Sequence, residues 1–395
     1  MPRVRNRLPR EVRVLAFCAF MIAIGYGVVA PALPVFARSF DVSVAAASAV
    51  VSAFAVARVL FAPVSGRLVG RTGELPVFCG GLLVVAASSA ACAFATDYGQ
   101  LLAFRAAGGL GSTMFTVSAA SLLVRISPPA MRGRASGAWA TGFLLGSIAG
   151  PVVGGGLIAG SLRAPFFAYA GMLVLTVLIT GVLLRAPART DPVRPVVATV
   201  TFSAVVRQPV FRAALASNFV NGWTVYGVRV ALVPLFVVEV LDRPDSWSGI
   251  ALAAFAAGTG ATLLLGGRWA DRGGRRLPIL VGSATVAVTS LWIGLTSGMT
   301  ELVVVSLLSG VGTGLMSPAV NAAVTDVIAV RGREVNSGAA LAGFQMVGDV
   351  GAIIGPILAG MIVEWAGYAA AFATTAAIAV ISFFYWLGVP ETAPR

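Results

Sequence analysis

The sequence predicts an all-α integral membrane protein of twelve transmembrane helices arranged as two six-helix repeats. Three observations carry that expectation. Of the 395 residues, 58% are hydrophobic and only 11% are charged, with a mean hydropathy of +0.92; soluble domains run at about a quarter charged. The apolar residues come in blocks of roughly 20, the length a helix needs to cross a bilayer, and they are apolar nearly all round rather than on one face. Finally, features of the first half recur in the second at a nearly constant spacing.

Charges, Pro and Gly mark the ends of the blocks. Span one (14–36) follows a basic segment, Arg3 to Arg13, and runs too long for the apolar core of a signal peptide. Span two (44–66) stops at Arg67, span three (75–96) lies between Glu74 and Asp97, and span four (99–123) ends before Arg125. Span five (135–159) starts after Arg132-Gly133-Arg134, and span six (164–185) lies between Arg163 and Arg189. Residues 186–211, rich in Pro, Arg and Thr, form a linker with a short interfacial helix near Phe202–Arg207. Then come span seven (212–240), span eight (248–269), span nine (277–298), span ten (301–325), span eleven (335–361) and span twelve (366–388). The expected domains are an N-terminal bundle over 1–185, a cytoplasmic linker over 186–211 and a C-terminal bundle over 212–395.

Orientation follows from arginine. With the N-terminus inside, the inner loops collect Arg67, Arg71, Arg125, Arg132, Arg134, Arg268, Arg272, Arg275, Arg276, Arg331 and Arg333, among others. The outer loops hold Arg38, Arg163 and Arg243 beside the acids Asp41, Asp97, Glu239, Asp242, Asp245 and Glu364. The positive-inside rule therefore puts both termini in the cytoplasm, and the compositional bias points to a bacterial inner membrane.

The chain has no His and no Lys, so all 28 basic residues are Arg. This excludes a P-loop lysine, a Schiff base to pyridoxal phosphate, a Ser-His-Asp triad, an HExxH zinc site and His-ligated haem. Cys18, Cys79 and Cys92 lie in apolar blocks without ligand spacing and read as apolar fillers. No cofactor, no metal, no enzymatic activity and no nucleic-acid partner are expected; the Arg residues are scattered between apolar blocks rather than gathered in a basic stripe. The expected partners are the lipid bilayer, a small-molecule substrate and protons, with the chain acting as a monomer.

The repeat is explicit. Arg67 and Arg268, Arg71 and Arg272, and Gly109-Leu110-Gly111 and Gly310-Val311-Gly312 are each 201 apart. Pro34 and Pro234 are 200 apart, Arg132-Gly133-Arg134 and Arg331-Gly332-Arg333 are 199 apart, and Gly150-Pro151 and Gly355-Pro356 are 205 apart. An even number of spans per copy makes the repeats parallel, about an axis along the membrane normal.

The loop after span eight reads Gly267-Arg268-Trp269-Ala270-Asp271-Arg272-Gly273-Gly274-Arg275-Arg276. It resembles the G-x-x-x-D-R-x-G-R-R signature of the major facilitator superfamily. Span five carries Gly146-x-x-x-Gly150-Pro151-x-x-Gly154-Gly155, which resembles that superfamily's antiporter motif, and Arg105-x-x-x-Gly109-x-Gly111 and Pro31-x-x-Pro34 resemble two more. The resemblance implies the major facilitator fold and, through span five, a twelve-span exporter similar to drug:proton antiporters. The first-half loop departs from the signature, with Gly70 where Asp is usual and Glu74 where a base is usual. The expected cytoplasmic gating residues are thus Gly267, Asp271, Arg272, Arg275, Arg276, Arg67 and Arg71. Small residues in span five would let another backbone approach, and Pro151 would allow a kink.

Four charges fall inside spans: Arg58, Arg105, Arg229 and Asp349. Such charges are costly in a bilayer and are candidates for function. Asp349 is the carboxylate expected at mid-membrane, where desolvation favours its protonated form. The resemblance brings spans two and eleven face to face, which allows an Arg58–Asp349 pair that protonation would weaken; a static buried ion pair is the alternative. It also implicates Arg105 in proton transfer or substrate contact, which for an Arg means an electrostatic role. In that fold spans one, four, seven and ten line the cavity, giving Tyr26, Met114, Phe115, Asn218, Asn221, Trp223, Tyr226, Met316 and Asn321 as substrate-contact candidates. The function implied is proton-coupled antiport of amphipathic small molecules by alternating access. Competing readings are a dedicated metabolite, siderophore or sugar exporter, and a non-transporting membrane receptor.

Overall fold

A computed structural model describes residues 8–127, 131–184, 202–329 and 338–392. Among them there is no β-strand, and eleven helices are long and apolar enough to cross a membrane. Arg331 and Arg333, and residues 186–201 of the expected linker, lie outside the described residues.

The first half runs α1 (Arg10–Val29), α2 (Ala32–Arg38), α3 (Val44–Thr72), α4 (Glu74–Ala93), α5 (Tyr98–Ile126), α6 (Arg132–Ile158) and α7 (Ala164–Leu183). After a four-residue helix α8 (Phe202–Val205), at the expected interfacial position, come α9 (Pro209–Asn221), a π-helical segment (Gly222–Val228) and α10 (Arg229–Glu239). Then follow α11 (Ser248–Gly273), α12 (Arg276–Ile293), α13 (Met299–Ala329) and α14 (Gly338–Leu387). At 1.5 Å rise per residue a 20-residue helix measures about 30 Å, the thickness of the hydrocarbon core.

Gly367 interrupts α14. Gly367 has φ 83° and ψ 172°, outside the helical region and open only to glycine without strain. The chain turns back there. Ala340 and Phe344, near the start of α14, share one core cluster with Trp386 near its other end and Val389 just beyond it, together with Val205, Phe211, Ala270 and Ile279. Two antiparallel legs meet at Gly367; a straight rod of that length would hold its ends about 70 Å apart.

The helices form two compact units. One comprises Met1–Ala32 and Ala53–Thr190, the other Leu33–Ser52 and Asp191–Arg395. In the first, α6 lies along α1. A Cβ on Gly146 would sit 2.5 Å from the Phe20 carbonyl oxygen, and one on Gly150 would sit 2.6 Å from that of Ile24. Gly142 and Gly154 meet the Ala16 and Val28 carbonyls in the same way. Four glycines at four-residue spacing thus press α6 backbone against α1 backbone. In the second unit, Gly351 of α14 meets the Phe219 carbonyl, and a Cβ on Gly355 would lie 3.2 Å from that of Trp223.

The second unit takes in residues 33–52 through polar contacts. Arg38 Nε donates to Glu239 Oε1 at 2.8 Å, and the Tyr368 hydroxyl donates to Glu239 Oε2 at 2.8 Å. Ser52 Oγ donates to the Ile353 carbonyl at 2.6 Å, and the Ala45 amide donates to Glu364 Oε1 at 2.7 Å, serving the amino end of α3.

Candidate functional site

Duplication is visible in the contacts themselves. Gly109 on α5 meets the Phe54 carbonyl of α3, and Gly310 on α13 meets the Phe255 carbonyl of α11, both pairs being 201 apart. A Cβ on Gly81 would lie 2.7 Å from the Gly111 carbonyl, and one on Gly282 would lie 2.5 Å from that of Gly312. A Cβ on Gly27 would lie 2.8 Å from Pro151 Cδ, and one on Gly227 would lie 3.0 Å from Pro356 Cδ. Asp41 and Asp242, again 201 apart, both take positive φ, 56° and 50°, in the turns that follow α2 and α10.

The loop after α11 is held by a network centred on Arg275. Arg275 reaches Asp326 Oδ2 through Nε at 3.1 Å, and Asp271 Oδ1 and the Ala270 carbonyl through Nη1 at 3.3 and 2.5 Å. Glu391, beyond α14, accepts the Arg275 amide at 2.8 Å and the Arg276 amide at 3.0 Å. A carboxylate there satisfies free amides at the start of α12 and complements its dipole. Arg276 Nε donates to the Trp386 carbonyl at 3.0 Å. Gly274 has φ 94°, and a Cβ on it would stand 2.5 Å from Glu391 Oε2. Arg272 is exposed, as are Arg67 and Arg71, and Gly267 is half-buried. Asp271 is also largely exposed and is one of three acids around Arg275, so the latch expected of it is shared with Asp326 and Glu391.

The first-half loop carries the same lock with its charges exchanged. Glu74 occupies the position equivalent to Arg275, and Arg125 that of Asp326, each 201 away. Arg125 Nη1 bonds both Glu74 oxygens, at 3.0 and 2.7 Å. The unusual Glu74 is therefore compensated across α4 and α5. The signal was available, since both positions depart from their repeat partners together.

Among the charges inside the helices, Arg105 is 6% exposed and stacks over Phe54, with Cζ 4.2 Å from the ring centroid and 5.9 Å from that of Tyr26. Its Nε is buried without a hydrogen-bond partner. Arg229, also 6% exposed, stacks over Phe255 at 4.1 Å. Phe54 and Phe255 are equivalent positions, 201 apart, yet the guanidinium comes from α5 in one unit and from α10 in the other. Arg58 is half-buried with its Nε unpartnered, and its carbonyl accepts Thr113 Oγ1 at 2.9 Å. Arg58 belongs to the first unit and the half-buried Asp349 to the second.

The antiporter-motif residues Gly146, Gly150, Pro151, Gly154 and Gly155 are all buried. The cavity candidates divide. Phe115, Trp223 and Met316 are 7%, 3% and 3% exposed and fill the bundles: Phe115 stands edge-on to Phe78, Met316 covers Gly282, and Trp223 Nε1 donates to Thr375 Oγ1 at 3.1 Å. Met114 covers Gly81, and Asn218 Nδ2 donates to the Phe344 carbonyl at 2.6 Å. Asn321 is exposed and bonds back to the Ser317 carbonyl at 3.0 Å. Tyr26 and Asn221 are half-buried, and Tyr226 is 54% exposed.

The π-helix went unforeseen. Its trace in the sequence is a slip in the repeat. The buried pair Cys18–Thr180, Sγ to Oγ1 at 3.4 Å, matches Ser217–Ser382, Oγ to Oγ at 3.1 Å. Cys18 and Ser217 are 199 apart, whereas Gly27 and Gly227 are 200 apart. One residue has entered between, where Gly222–Val228 widens its turn.

The Major Facilitator Superfamily model matches residues 15–244 and 214–395. The quinolone resistance protein NorA of Staphylococcus aureus is 28% identical over 178 residues, 45% of this chain and 46% of that protein. The MFS-type transporter Rv1250 of Mycobacterium tuberculosis, itself uncharacterized, is 30% identical over 263 residues, 62% of this chain and 45% of that protein. The chain thus spans about half the length of the curated relatives it matches. In fold it is similar to an inward-facing, unoccupied bacterial homologue of the human lysosomal transporter Spinster, with TM-score 0.78 and 18% identity over 95% of this chain and 96% of that one. It is also similar to the human organic anion transporter MFSD10, with TM-score 0.68 and 18% identity over 95% and 99%. With matched motifs, paired repeats and a family model over nearly its whole length, the chain belongs to the Major Facilitator Superfamily.

Proposed function

We propose that the chain exports amphipathic small molecules in exchange for protons by alternating access, as a monomer with twelve spans and both termini on the cytoplasmic side. The observation that carries this reading is the glycine stripe of α6 laid backbone-to-backbone on α1, in the segment whose motif resembles that of antiporters. The similarity to a quinolone resistance protein supports a drug-like substrate. The fold-back of α14 at Gly367 supports twelve spans, with bundles over 1–185 and 212–395 joined by the linker 186–211.

Proton coupling is assigned to Asp349, with Arg58, Arg105 and Arg229 as fixed positive charges. Protonation of Asp349 would bias the exchange between inward-open and outward-open states. Arg275 with Asp271, Asp326 and Glu391 gates the cytoplasmic side, and Tyr26, Asn221 and Tyr226 contact the substrate. The test is accumulation of ethidium and a fluoroquinolone in cells expressing the chain, with and without a protonophore. Expression should lower accumulation, and the protonophore should abolish the difference. Asp349→Asn should remove protonophore-sensitive efflux at unchanged expression; efflux that survives this change would remove Asp349 from the coupling, and no effect of expression would remove the exporter reading.

A further inference from the structure

Arg229 is a cation sealed inside the second unit. It is 6% exposed, and of its three nitrogens only Nη2 has a partner, Ser309 Oγ at 2.6 Å. Nε and Nη1 are buried with none. The ion pairs of Arg38, Arg125 and Arg275 do not include Arg229. Stacking on Phe255 at 4.1 Å offsets part of the desolvation but does not neutralise the charge. A guanidinium keeps its proton in proteins, and an uncompensated buried charge costs several kcal/mol or more.

Against Arg229 lies a small cavity within the same unit, lined also by Thr224, Ser290, Thr375 and Phe372. Thr224, Ser290 and Thr375 are 6%, 3% and 2% exposed. The π-helix brings Thr224 and Arg229 into this wall, since it carries the first and ends one residue before the second. Thr224 and Thr375 give their hydroxyl protons to the Val220 and Ala371 carbonyls, and Val228, Val233, Ile293 and Phe372 make the rest of the wall apolar. The donors left to meet a compact anion are the Arg229 Nε–H and Nη1–H, with the Ser290 hydroxyl in the same wall.

We propose that this chamber binds one small inorganic anion, chloride in the cell, which neutralises Arg229 and fastens the π-helical part of α9–α10 to α12 and α14. The site shares Arg229 with the proposed coupling charges, but its test reads the stability of the purified chain and does not depend on the export reading. The test uses the purified full chain in detergent, at constant ionic strength, with chloride replaced stepwise by gluconate. Chloride should raise Tm along a saturating curve by about 2 °C or more, and bromide should substitute for it. Arg229→Met should flatten that curve. If Arg229→Met does not fold, Ser290→Ala should shift the midpoint to higher chloride, and a bromide-soaked crystal of the unaltered protein should show anomalous density within contact distance of the Arg229 guanidinium. A Tm indifferent to chloride, or a chamber without bromide density, would mean that water alone occupies it and would overturn the proposal.

Discussion

At the scale of single residues, glycine does most to fix this structure, and it does so by absence of a side chain. Gly150 has backbone on the facing helix within 2.6 Å of where its Cβ would be, whereas Gly156 on the same helix has nothing within 4 Å. Gly150→Ala should therefore push α6 off α1 and cost about 1–3 kcal/mol, read as a lower Tm of the purified protein. Gly156→Ala should leave Tm unchanged or raise it slightly, since alanine favours the helix. Equal effects at the two positions would show that contact with α1 is not what selects glycine. The motif spacing made Gly146, Gly150 and Gly154 legible in the sequence. Burial of Phe115, Trp223 and Met316 was not, because an apolar residue on a spanning helix looks the same whether it faces a cavity, lipid or another helix.

Between elements, the ion locks show what pattern reading catches and what it misses. Glu74 stood out as a departure, but its partner is 51 residues away on another helix, and only the fold brings them together. Side-chain exposure of 26% for Arg125 and 14% for Glu74 keeps this pair partly out of water, so it should contribute about 1 kcal/mol after screening. Arg125→Glu sets two acids against each other and should lower Tm and membrane expression. Adding Glu74→Arg should restore both, because the exchanged arrangement is the one the second half already uses at Arg275 and Asp326. Failure of the double variant to recover would mean that the two loops are not interchangeable in geometry. The inserted residue of the π-helix belongs to the same scale. A slip from 199 to 200 in the repeat spacing records it, and hydropathy alone does not.

For the whole molecule, the fold class was the most legible feature because it rests on sums over many residues, and chance substitutions average out. The span count was harder, because it turns on one backbone angle at Gly367. Topology makes that angle measurable. With twelve spans Thr392 lies on the same side of the membrane as the α11–α12 loop; with eleven it lies opposite the N-terminus. The contacts favour the first, since Glu391 caps Arg275 and Arg276 while Thr392 Oγ1 bonds Asp326 Oδ2 at 3.3 Å. In a background with Cys18, Cys79 and Cys92 replaced, Ser246→Cys, Arg272→Cys and Thr392→Cys would each carry a single thiol. An impermeant maleimide applied to intact cells should label Ser246→Cys alone. After the cells are opened it should label all three. Labelling of Thr392→Cys from outside would break the fold-back of α14 and the cytoplasmic placement of the C-terminus together. Labelling of Arg272→Cys in place of Ser246→Cys would instead invert the molecule, and with it the arginine bias that oriented it.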